Sequence, residues 1–92
     1  MYIICYDIEN DKIRRRISVI LQGFGQRVQK SVFECELDEK ALQRLKNQLE
    51  KSFDAGEEDS IRIYQICQTC KMKALGMGNL AVSFIEKDYI YL

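Results

Sequence analysis

The chain has no histidine and no proline among its 92 residues, and its formal net charge is zero. Without histidine it lacks the one side chain that ordinarily titrates near neutral pH, and it lacks an imidazole to bind a metal. A carboxylate with a hard metal ion such as Mg²⁺ is therefore the first place to look for chemistry. No apolar run reaches the ~20 residues of a membrane helix, and no segment has the pattern of a signal peptide. These absences predict a cytoplasmic protein without a membrane span.

The four cysteines of the chain do not form a disulfide-rich pattern. Cys5 and Cys35 lie in strand-like runs, where a free thiol packs as a small hydrophobe. Cys67 and Cys70 have the spacing of a zinc or redox pair. A structural zinc site needs four ligands, and the chain has no second pair of this spacing and no histidine. A redox pair is expected at a strand-to-helix turn of a thioredoxin-like fold, which the order of elements does not match. Chance or packing is therefore the favoured interpretation of this pair.

Length and composition predict a single small domain over residues 1–92. With 47% hydrophobic and 30% charged residues, the chain should fold around one core. So small a core makes help from a second subunit plausible. The net charge is zero, but the charges are unevenly distributed along the chain. Residues 10–30 hold six bases and one acid, whereas residues 34–59 hold nine acids and four bases. The basic segment could present a local patch that attracts phosphate.

Apolar periodicity predicts six main elements. They are a strand at residues 1–8, a helix capped by Asn10 or Asp11, two short strands within 26–37 that break near residue 30, a helix capped by Asp38, and a strand at 60–66. Residues 67–79 are expected to be irregular, and 81–85 and 89–92 to add terminal strands. This βαββαβ order with a C-terminal β extension predicts an α+β, ferredoxin-like fold, with an antiparallel sheet and two helices on one face. The other face must be polar, bind something flat or pack on a second copy.

Asp7 is the residue that bulk hydrophobicity does not explain, because it ends an almost unbroken apolar strand. One carboxylate is a poor Mg²⁺ site, since the ion needs several oxygen ligands. In a two-fold dimer, however, two copies of Asp7 near the axis could share one ion. The alternative is structural: Asp7 caps the next helix or pairs with an arginine.

The basic residues and one aromatic also leave alternatives open. Helical geometry places Arg14 and Arg16 on the two flanks of an apolar stripe and turns Arg15 toward solvent. The flanking pair could reach a phosphate, with Arg27 and Lys30 extending the track, or it could belong to a solvated helix face. Phe33 is favoured as core, and otherwise it stacks on a base or packs at a dimer interface.

Four stretches of this sequence resemble the CRISPR-associated Cas2 family. They are residues 6–8 (Tyr-Asp-Ile), 14–16 (three arginines), 25–35 (Gly-Gln-Arg-Val-Gln-Lys-Ser-Val-Phe-Glu-Cys) and 59–64 (Asp-Ser-Ile-Arg-Ile-Tyr). The resemblance implies a ferredoxin-like homodimer that bridges two dimers of the Cas1 integrase and binds duplex DNA during spacer acquisition. It also implies metal-dependent endonuclease activity on duplex DNA or single-stranded RNA.

Carried over by position, the resemblance assigns roles to particular residues. Asp7 matches the metal-binding aspartate, and Mg²⁺ is the expected cofactor, one ion shared by Asp7 of two subunits. The other positions implicated in cleavage are matched by Tyr6, Arg14, Arg16, Arg27 and Phe33. The alternatives to an active nuclease are a non-catalytic nucleic-acid scaffold, a ferredoxin-like toxin endoribonuclease, and an unrelated ferredoxin-like module.

Overall fold

The computed structural model describes residues 1–53 and 59–77. Its elements, in chain order, are β1 (Tyr2–Asp7), α1 (Asp11–Gln22), β2 (Gln26–Gln29), β3 (Val32–Cys35), α2 (Glu39–Ser52), β4 (Ser60–Gln65) and α3 (Gln68–Met72). The four strands form one sheet in the order β2-β3-β1-β4, with every neighbouring pair antiparallel. This is the ferredoxin-like α+β arrangement that the sequence predicts.

The central strand β1 explains why the N-terminal segment is apolar on both faces. It pairs with β3 on one side and β4 on the other, with Ile4 opposite Phe33 and Ile63. Side chains alternate between faces along a strand, and the even-numbered residues of β1 are the buried ones. They pack with buried side chains of both long helices, including Ile17 and Leu45. The core therefore lies between the helices and one face of the sheet.

Both long helices begin at the predicted caps. The Asn10 side chain accepts hydrogen bonds from the backbone N–H groups of Lys12, at 2.9 Å, and Ile13, at 3.1 Å. The Asp38 side chain accepts one from the N–H of Ala41 at 2.7 Å. These contacts satisfy helix N–H groups that have no intrahelical partner. They fix where α1 and α2 start, and hence which helix faces meet the sheet.

The segment after β4 differs from the prediction. An irregular stretch is expected from residue 67 onward, but Gln68–Met72 form the short helix α3, with Cys67 as its N-cap. A side-chain cap is a local signal that glycine punctuation alone does not reveal. The two predicted terminal strands, 81–85 and 89–92, lie outside the described residues. Within residues 1–53 and 59–77, no helix has the length and apolar character to cross a bilayer.

Gly25, just before β2, leads to a stability prediction. A Cβ atom there would lie 2.3 Å from the carbonyl oxygen of Glu34 and 2.4 Å from Sγ of Cys35. Because the first contact is with backbone, Gly25→Ala is expected to cost at least about 1–3 kcal/mol of unfolding free energy, as overpacking typically does. Urea unfolding checks this. Gly23→Ala is the control, since its Cβ would meet only the Ile20 carbonyl oxygen, at 3.3 Å. Equal losses in the two variants would contradict the prediction.

Candidate functional site

Asp7 lies at the end of β1 with its side chain exposed. Alternation along β1 places it on the sheet face opposite the helices, across from Ser60 of β4. Asn10 is the helix cap, and no arginine or lysine pairs with Asp7 within residues 1–53 and 59–77. Both structural explanations of Asp7, as a cap and as an arginine partner, are therefore wrong for this part of the chain. A carboxylate displayed in this way is available to a ligand.

Arg14 is held beside the end of the same strand. Its Nη1 donates to the carbonyl oxygens of Ile8, at 3.1 Å, and Glu9, at 3.3 Å. Its Nη2 donates to a carboxylate oxygen of Asp11. These contacts fix the guanidinium over the loop that directly follows Asp7. Arg14 is thus held against the loop that follows β1, and its pairing with Asp11 partly offsets its charge.

Arg62 is a cation on the sheet face opposite the helices, which we call the open face. Sequence reasoning did not single it out. Its backbone lies opposite Cys5, so it is the diagonal cross-strand neighbour of Asp7. The hydrogen bond with Tyr64 raises the pKa of Arg62, and the guanidinium keeps its charge. The available signal was alternation in β4, which puts Ser60, Arg62 and Tyr64 on one face. Using that signal requires the register between β1 and β4.

Tyr6, Phe33 and Arg27 form a separate cluster on the helix side of the sheet. The rings of Tyr6 and Phe33 lie 6.3 Å apart between centroids and are tilted by 30°. The Tyr6 hydroxyl donates to the Lys30 carbonyl oxygen at 3.4 Å. Arg27 places its Cζ 5.5 Å from the Phe33 centroid and donates to the hydroxyl of Ser18. The favoured interpretation of Phe33 as core is confirmed, because it has no exposed surface.

The predicted site residues therefore separate into two groups. Asp7 is on the open face with Arg14 held at the strand end, whereas the Tyr6–Phe33–Arg27 cluster is on the helix side. Ser18, the partner of Arg27, was missed by sequence reasoning, although a polar residue beside Ile17 in the apolar stripe of α1 was a usable signal. Within one chain, the second group supports the first through the sheet instead of touching the same ligand.

Arg16 belongs to a third feature, which we call the basic groove. This groove between α1 and α2 has a volume of about 570 Å³, and its basic lining residues are Lys12, Arg15, Arg16 and Lys51. Arg15 is exposed, as expected, but it lines the groove together with Arg16. Sequence reasoning missed Lys51, because only helix packing brings α2 beside α1. Lys30 is exposed at the turn between β2 and β3.

A metal ion at Asp7 would need ligands from beyond one chain. Within residues 1–53 and 59–77, no three His, Cys, Asp or Glu side chains are grouped closely enough to hold an ion. Asp7 supplies hard oxygen donors of the type that Mg²⁺ prefers, but too few of them alone. Further ligands, such as waters, a substrate phosphate or the Asp7 of a second copy, would have to complete the coordination of the ion.

Comparison with known proteins identifies the family of this chain. Residues 1–74 match the family model described as CRISPR associated protein Cas2. A Chloroflexus aurantiacus protein named CRISPR-associated endoribonuclease Cas2 1 is 43% identical over 70 residues, covering 76% of this chain and 75% of its own length. A Thermus thermophilus protein named CRISPR-associated endonuclease Cas2 2 is 39% identical over 80 residues, covering 87% of this chain and 86% of its own.

Solved structures are similar in fold. Streptococcus pyogenes Cas2 superposes with a TM-score of 0.71 at 28% identity, covering 84% of this chain and 98% of that one. A chain of a partial Cas6-RT-Cas1–Cas2 complex gives 0.71 at 24% identity, covering 94% of this chain and 90% of its own, and shows likeness of fold alone. The family match decides against an unrelated ferredoxin-like module and against a toxin endoribonuclease. The chain belongs to the CRISPR-associated Cas2 family.

Proposed function

We propose that this protein is a homodimeric, metal-dependent endonuclease whose site is completed when two copies bring their Asp7 carboxylates together. The observation that carries the proposal is the exposed Asp7 side chain at the end of β1, which has no cation partner within residues 1–53 and 59–77. An unpaired carboxylate on an open sheet face is the group that a shared ion would need. The names of the relatives, endoribonuclease and endonuclease, support the reaction class.

The residues around Asp7 have distinct tasks in phosphodiester cleavage. Mg²⁺, when bound, supplies positive charge that stabilises the charge developing on the phosphate. The two Asp7 carboxylates would hold the ion. Arg14, fixed against the Ile8 and Glu9 carbonyl groups, and Arg62 offer guanidinium groups to the phosphate oxygens. Because the chain has no histidine, a water would supply the proton to the leaving oxygen, or the metal itself would stabilise the charge on that oxygen.

The reaction is tested with labelled single-stranded RNA and labelled duplex DNA. Purified protein is incubated with each substrate in Mg²⁺, and then in excess EDTA. Cleavage of at least one substrate that requires Mg²⁺ and returns when Mg²⁺ is restored is the expected result. Cleavage that persists at the same rate in EDTA would contradict a metal-dependent site.

A second function, a nucleic-acid scaffold that bridges two Cas1 integrase dimers during spacer acquisition, is favoured by a different observation. Tyr6 and Phe33 are buried, and Arg27 faces α1, so few groups remain beside Asp7 for chemistry. The basic groove, in contrast, offers four cations on the helix side. Such a surface suits duplex backbone, which is bound through phosphates without reading sequence.

We infer that residues 80–92, which lie outside the described residues, add a strand to a sheet edge of the Cas1 integrase. Deleting residues 80–92 tests this binding. We expect the truncated protein to lose co-purification with Cas1 and to keep its Mg²⁺-dependent cleavage. The matched control is the full-length protein, which keeps these thirteen residues but carries its purification tag at the other terminus. Unchanged Cas1 binding after the deletion would contradict docking through this segment.

The basic groove makes a prediction about salt. Each phosphate contact adds about 0.9 to the slope of log affinity against log salt concentration on duplex DNA. Arg16→Ala is therefore expected to reduce this slope by about 0.9, the contribution of one phosphate contact. It is expected to weaken binding equally for unrelated sequences. Fluorescence anisotropy at several salt concentrations measures both. Arg44→Ala, a change at an exposed arginine outside the basic groove, is the control; the same slope change there would mean that the groove is not the contact.

A further inference from the structure

Two thiols lie side by side at the start of α3, which follows β4. The Sγ atoms of Cys67 and Cys70 lie 3.2 Å apart, and both side chains are exposed. The backbone N–H of Cys70 donates to Sγ of Cys67 at 3.4 Å. Packing does not explain this pair, because neither side chain belongs to the core.

The other two cysteines provide an internal contrast. Cys35 is fully buried in β3, and burial, reinforced by the charge of Glu34, raises the pKa of its thiol to about 11. Cys5 is half-buried on β1. A buried thiol that stays protonated reacts slowly, because the thiolate is the nucleophile. Only the pair at the start of α3 combines exposure with a neighbouring thiol.

We propose that Cys67 and Cys70 are a reversible redox pair that closes to an intramolecular disulfide by exchange with a small-molecule disulfide such as oxidised glutathione. The Cys67 thiolate attacks one sulfur of the small disulfide, forming a mixed disulfide and releasing one thiolate. The Cys70 thiolate then attacks Sγ of Cys67 and releases the second. The protein loses two electrons and two protons, and the small disulfide gains them as two thiols.

The contacts assign the order of the two steps. The backbone N–H of Cys70 donates to Sγ of Cys67, and the contacts with Cys70 lower the pKa of the Cys67 thiol. The contact with Cys67 raises the pKa of the Cys70 thiol. Cys67 is therefore the attacking sulfur and Cys70 the resolving one. Lys71, which pairs with Glu36 at the end of β3, ties α3 to the sheet and keeps the turn in place.

The full-length protein is equilibrated in buffers with graded ratios of reduced to oxidised glutathione, quenched with acid and alkylated. Trypsin cuts after Arg62 and Lys71, so both cysteines fall on one peptide, residues 63–71. In reducing buffer we expect this peptide to carry two alkyl groups. As the buffer becomes oxidising, we expect it to carry none and to weigh two hydrogen atoms less than the free dithiol peptide, and reduction is expected to reverse the change. When the quenched protein is unfolded for alkylation, Cys5 and Cys35 are expected to be alkylated at every ratio, because they stay reduced in the folded protein. In Cys70→Ser, glutathione is expected to remain on Cys67, because the resolving thiol is gone.

Three outcomes would overturn the proposal. The first is a peptide that stays fully alkylated across the range. The second is stable glutathione on both cysteines of the wild-type protein without an internal disulfide. The third is glutathione trapped equally in Cys67→Ser and Cys70→Ser, which would remove the assigned order. Circular dichroism of each variant shows that it is folded, and Cys5→Ser is the matched control, expected to oxidise like the wild type.

Discussion

Replacing Asp7 with alanine is expected to lower Mg²⁺-dependent cleavage by at least about 100-fold, the scale on which removing one stabilising group from a transition state acts. Stability should barely change, within about 0.5 kcal/mol, because Asp7 is exposed and, within residues 1–53 and 59–77, it pairs with no cation and caps no helix. Initial cleavage rates and urea midpoints measured on the same preparations separate the two effects. Glu50→Ala, at an exposed carboxylate on α2, is the control and should keep the wild-type rate.

A mixing experiment tests whether two Asp7 residues share one ion. Wild-type and Asp7→Ala chains are unfolded together in equal amounts and refolded, so that dimers form at random. If both carboxylates are required, only dimers with two wild-type chains cleave, and about a quarter of the wild-type activity remains. If each Asp7 works alone, about half remains. A result near one half would contradict the shared site and favour the scaffold function.

The place of Asp7, at the end of an apolar strand, was predictable from the sequence, but its freedom from a structural role was not. The sequence left open a helix cap or an arginine pair, and only the structure shows Asn10 as the cap and no cation paired with Asp7 within residues 1–53 and 59–77. Helical geometry likewise placed Arg14 and Arg16 on different flanks, where the structure finds one at the strand end and the other in the basic groove. Positions within a single element follow from periodicity alone.

The residues that sequence reasoning misplaced depend on pairing between elements. Arg27 is the clearest case, because the ladder between β2 and β3 shifts register between Arg27 and Gln29. Gln29 lies opposite Val32, and an unbroken ladder would put Arg27 on the same face as Gln29. The irregularity instead sets Arg27 opposite Phe33, on the helix side. Arg62 similarly joins Asp7 only through the register of β4, which no periodicity within β4 reveals.

Phe33 carries the largest expected loss of stability. Its side chain is fully buried between Tyr6 and Arg27, and truncating a buried phenylalanine to alanine typically costs about 3–5 kcal/mol. For a domain with so small a core, that is a large fraction of the total stability. Phe33→Ala is expected to be partly or wholly unfolded at ambient temperature, as measured by circular dichroism and urea unfolding. Loss of cleavage in this variant would therefore say nothing about chemistry.

Phe33→Leu separates packing from a direct role in cleavage. It keeps an apolar side chain of similar size and is expected to cost about 1 kcal/mol, so the protein stays folded. If Phe33 acts only by supporting the sheet beneath Asp7, cleavage should remain within about threefold of wild type, since the open face keeps its geometry. Base stacking would require an aromatic face. A folded Phe33→Leu protein that loses cleavage while Phe33→Tyr retains it would show that the ring contacts nucleic acid, and that the buried cluster opens during the reaction.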